Sequence, residues 1–311
     1  MKVLVTDGIA PQAIKMMEDE GHEVILDEVS PEGLLEKVGD YDALIVRSRT
    51  KVRKDALDKA ENLKVIGRAG IGVDNIDIQY AKEKGIKVVN APMGATISVA
   101  ELAFGHMLAL ARGIVKGSNG IRDNKWLKKK LKGMELNGKT VGIIGCGRIG
   151  QTLAARCQAF GMKTVGHDPF LPLEVAEEHG IELMDIDELL KRSDFVSLHL
   201  ALTDSTKHMI STGQFETMKD SAYLINCARG GVVDESALAV ALKEGKIGGA
   251  ALDVFETEPP GETELSRFDN VIFTPHIGAN TVDAQLKAGT MVSEQVMMVL
   301  DGKTPTFWVN K

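Results

Sequence analysis

Three short stretches of this 311-residue chain, INCARGG, LDVFETEPP and FTPHIGA, carry side chains able to do acid–base and anion chemistry. They place Arg229, then Asp253 and Glu258, then His276, each just past a run of apolar, β-type residues. An arginine presents a rigid fork of donors that fits a carboxylate or a keto oxygen. A histidine titrates near neutrality and can take a hydroxyl proton. An acidic side chain beside it orients the ring and stabilises the imidazolium that forms. Taken singly, each has a plain alternative: Arg229 in a surface ion pair, Glu258 as a solvated loop acid, His276 donating to a backbone carbonyl. Which description holds depends on what lies beside them.

A nucleotide signature precedes them. VGIIGCGRIG sets Gly145, Gly147 and Gly150 in a G-x-G-x-x-G pattern between a β-type run and a helical run that opens at Arg148 and Ile149. The first glycine permits the tight turn, the second lets the backbone approach a pyrophosphate, and the third allows close helix–strand packing. The phosphates then rest on a helix N-terminus, where unpaired N–H groups favour an anion, and Arg148 adds a charge. The following β-type run ends in GHDPF, with Asp168 eighteen residues beyond Gly150. An acidic residue there accepts from ribose hydroxyls and repels a 2′-phosphate, which favours NAD over NADP. Beside such a site, Arg229, Glu258 and His276 are the parts that hydride transfer at a 2-hydroxy acid requires.

Elements that position these residues follow from periodicity. Residues 2–7, 22–28, 43–48, 63–70 and 86–92 read as strands, with helices such as Pro11–Glu20 and Lys54–Ala60 between them. A second series follows at 140–145, 163–168, 195–200, 222–227, 248–254 and 271–276. Continuous apolar strands separated by helices imply α/β architecture: two doubly wound parallel-sheet domains, each covered on both faces. Residues 96–117 predict one long apolar helix, packed most simply between the domains, with Ser98 and Glu101 as a capping box. Thr281–Leu300 is again helical, and GKTPTFWVN reads as a terminal strand or tail.

Bulk properties agree. Apolar residues make up 44% and charged residues 26%, ordinary for a globular protein. With 37 Lys and Arg against 44 Asp and Glu, the net charge of −7 argues against nucleic acid as a partner. Cys146, Cys157 and Cys227 form no CxxC pair and no metal-ligand spacing, so no metal is expected and a reduced, cytoplasmic setting fits. No window approaches the roughly 20 apolar residues of a membrane span.

Taken in order, GRAGIGVDNID, GIIGCGRIG, NCARGGVVDE, ALDVFETEPP and TPHIGA resemble the D-2-hydroxyacid dehydrogenase family over nearly the whole chain. The resemblance implies a flavodoxin-like substrate-binding domain at 1–97, an inserted Rossmann NAD-binding domain at 98–282 and a C-terminal return at 283–311. The active site would lie in the cleft, and the family's Arg, Glu and His fall on Arg229, Glu258 and His276. Ile71, Pro169, Leu200, Cys227, Ala228, Arg229, Asp253, His276 and Gly278 join the nucleotide loop as cofactor contacts. Some relatives carry Thr at the position of Ile71, and Thr-Pro is often found at Leu200-Ala201, so polar contacts near the nicotinamide are fewer here. A homodimer is implied, as is a chain that ends with the catalytic core, without an appended serine-sensing domain and therefore uninhibited by serine.

On the substrate side, Gly70 and Gly72 in RAGIGVDNID allow backbone N–H groups to form an anion nest, and Arg47, Arg68 and Ile71 join them. Arg47, Arg49, Arg68 and Lys128–Lys130 are candidates for a second anion, which points to a small-molecule phosphorylated 2-hydroxy acid. An unphosphorylated acid such as glyoxylate or hydroxypyruvate is the close alternative. A non-enzymatic NAD-responsive scaffold is the distant one. The remaining histidines (22, 106, 167, 179, 199 and 208) are read as structural.

Overall fold

Apolar runs in the first ninety residues become five short strands: β1 (Lys2–Val5), β2 (Glu23–Leu26), β3 (Ala43–Val46), β4 (Val65–Arg68) and β5 (Lys87–Asn90). The computed structural model describes all residues from Met1 to Lys311. The strands pair in parallel in the order β2-β1-β3-β4-β5. Parallel pairing requires a crossover longer than a turn, which the intervening helices supply. Alternate residues face opposite ways: Leu4, Leu44, Ile66 and Val88 enter one apolar layer, and Val3, Ile45, Val65 and Val89 the other. Burial on both faces is why β3 reads ALIV without a polar residue.

Helix Val282–Leu300 returns to this first sheet and closes the second layer with Ala288, Val292, Val296 and Val299, a helical stripe. Gly67 in β4 makes room for it. A Cβ there would lie 2.7 Å from Val296 Cγ2 and 2.8 Å from Val292 Cγ2. The terminal GKTPTFWVN segment is mostly irregular and runs along β5: Val89 and Trp308 form an antiparallel bridge, Val309 N donates to Val88 O at 2.8 Å, and Asn310 Oδ1 accepts from Val88 N at 2.8 Å.

The second sheet has seven strands: β6 (Thr140–Ile144), β7 (Lys163–His167), β8 (Glu182–Leu183), β9 (Phe195–Leu198), β10 (Tyr223–Asn226), β11 (Gly249–Leu252) and β12 (Val271–Phe273). All are parallel, in the order β12-β11-β10-β9-β6-β7-β8. The order reverses at β6, so the loops leaving β6 and β9 diverge at the carboxyl ends, where such sheets bind ligands. The chain divides into two compact units, Met1–Thr96 with Ala279–Lys311, and Ile97–Gly278.

Two local expectations fail. The predicted helix at 96–117 is two helices, Thr96–Arg112 and Ile114–Arg122, bent by 64° at Gly113, whose φ of 59° leaves the helical region. The helix also begins at Thr96, so Ser98 lies inside its first turn rather than at its cap, and Glu101 instead pairs with Arg156 at 2.8 Å. No single helix is long and apolar enough to cross a membrane.

Because Val296 is fully buried between helix and sheet, Val296→Ala is expected to destabilise the first unit by about 2 kcal/mol. Urea titration of the variant against the parent checks this; an unchanged midpoint would show that the helix does not brace the sheet.

Candidate active site

The three glycines after β6 behave as their spacing predicts. Gly145 has φ of 90°, and a Cβ there would strike the backbone carbonyl of His199. A Cβ on Gly150 would strike the carbonyl oxygen of Gly145, so the third glycine lets helix Arg148–Ala159 close on the strand. At Gly147, in contrast, a Cβ meets nothing within 4 Å. Packing therefore does not demand a glycine there; an approaching ligand does. Gly147 and Arg148 are exposed, Ile149 is half-buried, and Gly147 is the N-cap of a twelve-residue helix whose first N–H groups have no partner within it. Asp168 follows β7; its Oδ2 accepts from Cys146 N at 2.9 Å and its Oδ1 from Phe170 N at 3.0 Å. The carboxylate is thus held beside the glycine loop, with Pro169 exposed next to it. These groups fit a dinucleotide: an open backbone cradle, a helix N-terminus for the phosphates and a fixed acceptor for the ribose.

At the end of β12 the chain makes a compact loop around one carboxylate. Asp253, 1% exposed, accepts from Thr274 Oγ1 at 2.6 Å, Ile277 N at 2.8 Å and Gly278 N at 2.8 Å. Its own carbonyl accepts from His276 N at 2.8 Å. Wrapping residues 274–278 this tightly forces His276, at the apex, to φ of 51°, a region that non-glycine residues rarely occupy. The side chain stands in solvent, 46% exposed, with Nδ1 2.7 Å from Glu258 Oε2. Glu258 is itself held, its Oε1 accepting from Phe255 N at 3.1 Å. A carboxylate only accepts, so His276 carries its proton on Nδ1 and Nε2 is the basic nitrogen. Asp253 is a buried anchor for the loop that presents the histidine.

Arg229 is presented differently. Asn226, the last residue of β10 and 1% exposed, accepts from Ala228 N at 3.0 Å and donates from Nδ2 to Arg229 O at 3.0 Å. This carboxamide staples the turn, and Arg229 Nη1 donates to Ala228 O at 2.7 Å. Gly230 follows, and a Cβ on it would collide with the backbone of Phe255 and Glu256. The Arg229 loop and the Glu258 loop therefore touch at backbone level. Asn226 was missed from the sequence, although a buried carboxamide directly after an apolar strand is the signal that would have found it. Cys227 and Ala228 are buried, and Leu200 after β9 is half-buried against Gly145. Burial drives the Cys146 and Cys157 thiols up to about 12 and raises Cys227 as well, with Asp253 adding to the last, so none is a nucleophile.

In the first unit the expected substrate residues also sit at carboxyl ends of strands. Arg68 ends β4 and its guanidinium folds back over Gly70. Asn90 Nδ2 donates to Ile71 O at 2.7 Å, pinning the loop that includes Gly72. Asn75 Nδ2 donates to Arg47 O at 2.8 Å and to Thr50 O at 2.6 Å, tying this loop to the one after β3. Buried Asp7 organises that loop. Burial pushes its carboxyl up, but Thr50 through hydroxyl and amide, Arg47 N and the Arg49 guanidinium together hold it below the usual range. Arg49 is consequently committed to Asp7 at 3.0 Å, to Glu28 at 3.5 Å and to Thr6 O, which removes it from the candidates for a phosphate. Lys128–Lys130 are exposed.

Comparison with known proteins bears on this geometry directly. Residues 104–278 match the family described as D-isomer specific 2-hydroxyacid dehydrogenase, NAD binding domain. The chain belongs to this family. Over all 311 residues it is 54% identical to a D-3-phosphoglycerate dehydrogenase of Methanocaldococcus jannaschii, of which it covers 59%. It is 46% identical to a hydroxypyruvate reductase of Thermotoga maritima, covering 96% of this chain and 98% of that one. Among solved structures, a D-lactate dehydrogenase of Aquifex aeolicus complexed with NAD and lactic acid matches with a TM-score of 0.86 and 30% identity, covering 100% of this chain and 99% of that chain. The chain spans about three-fifths of the length of the phosphoglycerate dehydrogenases it matches. In this member of the family, NAD is the cofactor of the second unit, and Gly147, the helix that follows it and Asp168 are the residues that would hold it.

One histidine beside the nucleotide loop has a measurable signature. His199 Nε2 meets Ser197 Oγ at 2.9 Å, whereas its Nδ1 is sealed from water without a partner. Burial pushes the imidazole down to about 4 from its ordinary 6.5. Between those values the unfolded chain binds a proton that the folded chain refuses, so stability falls as pH drops through this window. His199→Gln is expected to flatten that part of the stability curve, measured by urea unfolding at pH 7 and pH 4.5; an unchanged slope would rule His199 out as its source. Gly147→Ala is expected to leave thermal stability alone and weaken NADH binding about tenfold by blocking the cradle. Gly150→Ala is expected to lower the melting temperature. Equal effects of the two substitutions on stability would contradict the assigned roles.

Proposed function

We propose that this dehydrogenase oxidises 3-phospho-D-glycerate to 3-phosphohydroxypyruvate with NAD, the entry to serine biosynthesis. The observation that carries the reaction type is the Glu258–His276 pair at 2.7 Å, presented beside the Arg229 turn at the carboxyl ends of β10 to β12. Arg229 binds the substrate carboxylate or the keto oxygen that develops at C2. His276 Nε2 takes the proton of the C2 hydroxyl while Nδ1–H remains bonded to Glu258, whose charge stabilises the imidazolium. NAD, held by Gly147, the helix that follows it and Asp168, would supply the acceptor for the hydride of C2; with the hydroxyl proton taken by His276, a 2-keto acid remains. The imidazolium then returns its proton to water. In the reverse direction the same histidine is the acid.

Support for a phosphorylated substrate comes from the 54% identity to a phosphoglycerate dehydrogenase and from Arg47 and Arg68 in the first unit's strand-end loops. With Arg49 committed to Asp7, these two carry the phosphate role, and the first unit is the substrate-binding one. A second substrate has one observation in its favour, the full-length match to a hydroxypyruvate reductase. A homodimer is proposed on the exposed apolar side chains of Ile114, Val115, Ile121 and Trp126; light scattering at the chain mass instead of twice that value would refute it. The proposed compartment is the cytoplasm, consistent with three free, buried cysteines.

NAD reduction with 3-phospho-D-glycerate, D-glycerate and D-lactate, alongside NADH oxidation with hydroxypyruvate and glyoxylate, decides between the two. Preference for the phosphorylated acid is expected, and Arg68→Ala should raise its KM about 10- to 100-fold while leaving that of D-glycerate nearly unchanged. Preference for hydroxypyruvate would move the assignment to the reductase. His276→Asn is expected to lower kcat about 10²- to 10⁴-fold with NADH affinity nearly intact; equal loss of both would deny it the proton-transfer role.

A further inference from the structure

His106 is the polar interruption on the buried face of helix Thr96–Arg112, among Val99, Ala100, Ala103, Met107 and Leu110, and is 4% exposed. A buried imidazole without a hydrogen-bond partner is costly, and here the partner is specific. His106 Nε2 lies 3.2 Å from Thr274 Oγ1, which lies 2.6 Å from Asp253 Oδ1. The proton positions follow from valence. Asp253, a carboxylate taking two backbone N–H groups besides, only accepts, so the single hydroxyl proton of Thr274 points at it. Toward His106 the hydroxyl oxygen then accepts, and the proton of that contact resides on His106 Nε2. The chain runs one way, from His106 Nε2–H to Thr274 Oγ–H to Asp253.

The last member of this chain is the anchor of the catalytic loop. Asp253 holds Ile277 N, Gly278 N and, through its carbonyl, His276 N, and these contacts keep His276 at φ of 51°. The same helix touches the loop again two turns earlier, where Val99 lies 3.3 Å from where a Gly278 Cβ would stand. Helix Thr96–Arg112 is therefore the wall against which the loop is set, and His106 makes a directional contact there. We propose that His106 is a positioning residue of the hydride-transfer site: by fixing the Thr274 hydroxyl it holds Asp253 in the orientation that presents His276 to Glu258 and to substrate. The inference deepens the dehydrogenase reading and rests on it.

The test compares His106→Leu, His106→Gln and Thr274→Val in the full chain. Readouts are kcat, the NADH dissociation constant, and the ¹⁵N shifts of the His276 ring, identified by their loss in His276→Asn. Expected for His106→Leu is a kcat loss of about tenfold, NADH affinity within about threefold, and His276 nitrogens averaged between tautomers. Glutamine, which keeps a donor, should restore most of the rate. Adding His106→Leu to Thr274→Val should cost nothing further, because both cut one chain. A folded His106→Leu with parental kcat and unaltered His276 shifts overturns the proposal, as does a double variant whose losses multiply. Should His106→Leu not fold, Thr274→Val and the glutamine variant carry the same decision. A parent protein inactive on every 2-hydroxy acid would instead sink the proposed function, and the His276 shifts would still judge His106.

Discussion

A buried carboxylate must be surrounded by donors to remain charged, and in this protein that requirement shapes the candidate active site. Asp253 is almost wholly enclosed, and no cation neutralises it; a hydroxyl and two backbone amides from one five-residue loop do so. Satisfying that charge bends the loop so sharply that its apex residue takes a left-handed backbone. The apex residue is His276. Strain that would otherwise be shed is thereby held at the point where a ring must project into solvent and meet Glu258.

Other parts of the site repeat the principle with different chemistry. Asn226 does for the Arg229 turn what Asp253 does for the histidine loop, supplying one acceptor and one donor to backbone groups that the strand no longer pairs. Asp7 and Asn75 do the same for the loops after β3 and β4 in the first unit. In each case a polar side chain, buried except for half-buried Asn75, fixes the backbone of a loop that follows a strand, and a proposed site residue is left to project. The glycines complete the set by subtraction: Gly145 and Gly150 let backbones touch, Gly230 brings the Arg229 and Glu258 loops into contact, and Gly147 leaves an opening.

Much of this was legible in the chain. Continuous apolar runs identified eleven of the twelve strands, because buried parallel strands have no polar face to interrupt them; β8, two residues long, carries no pattern to read. The nucleotide loop and Asp168 were legible because their requirements are local: a turn, a close approach and an acceptor at the next strand end. His276, Glu258 and Arg229 were legible because parallel topology sends successive strand ends to one edge of the sheet. The unbroken helix at 96–117 was misread, since an apolar pattern continues through Gly113 while the backbone does not.

Residue types and order alone determined the two-sheet α/β class and the NAD loop, and they singled out Glu258 and His276 as the proposed acid–base pair. What the tertiary structure decided is which polar groups act and which hold them. Arg49 and Arg47 are both basic and two residues apart, yet only the folded chain assigns Arg49 to Asp7. Asp253 and Glu258 are both acidic and five apart, yet burial makes one an anchor and exposure makes the other a partner for the histidine. Burial and hydrogen-bond satisfaction depend on neighbours from distant strands, and sequence spacing carries no record of them.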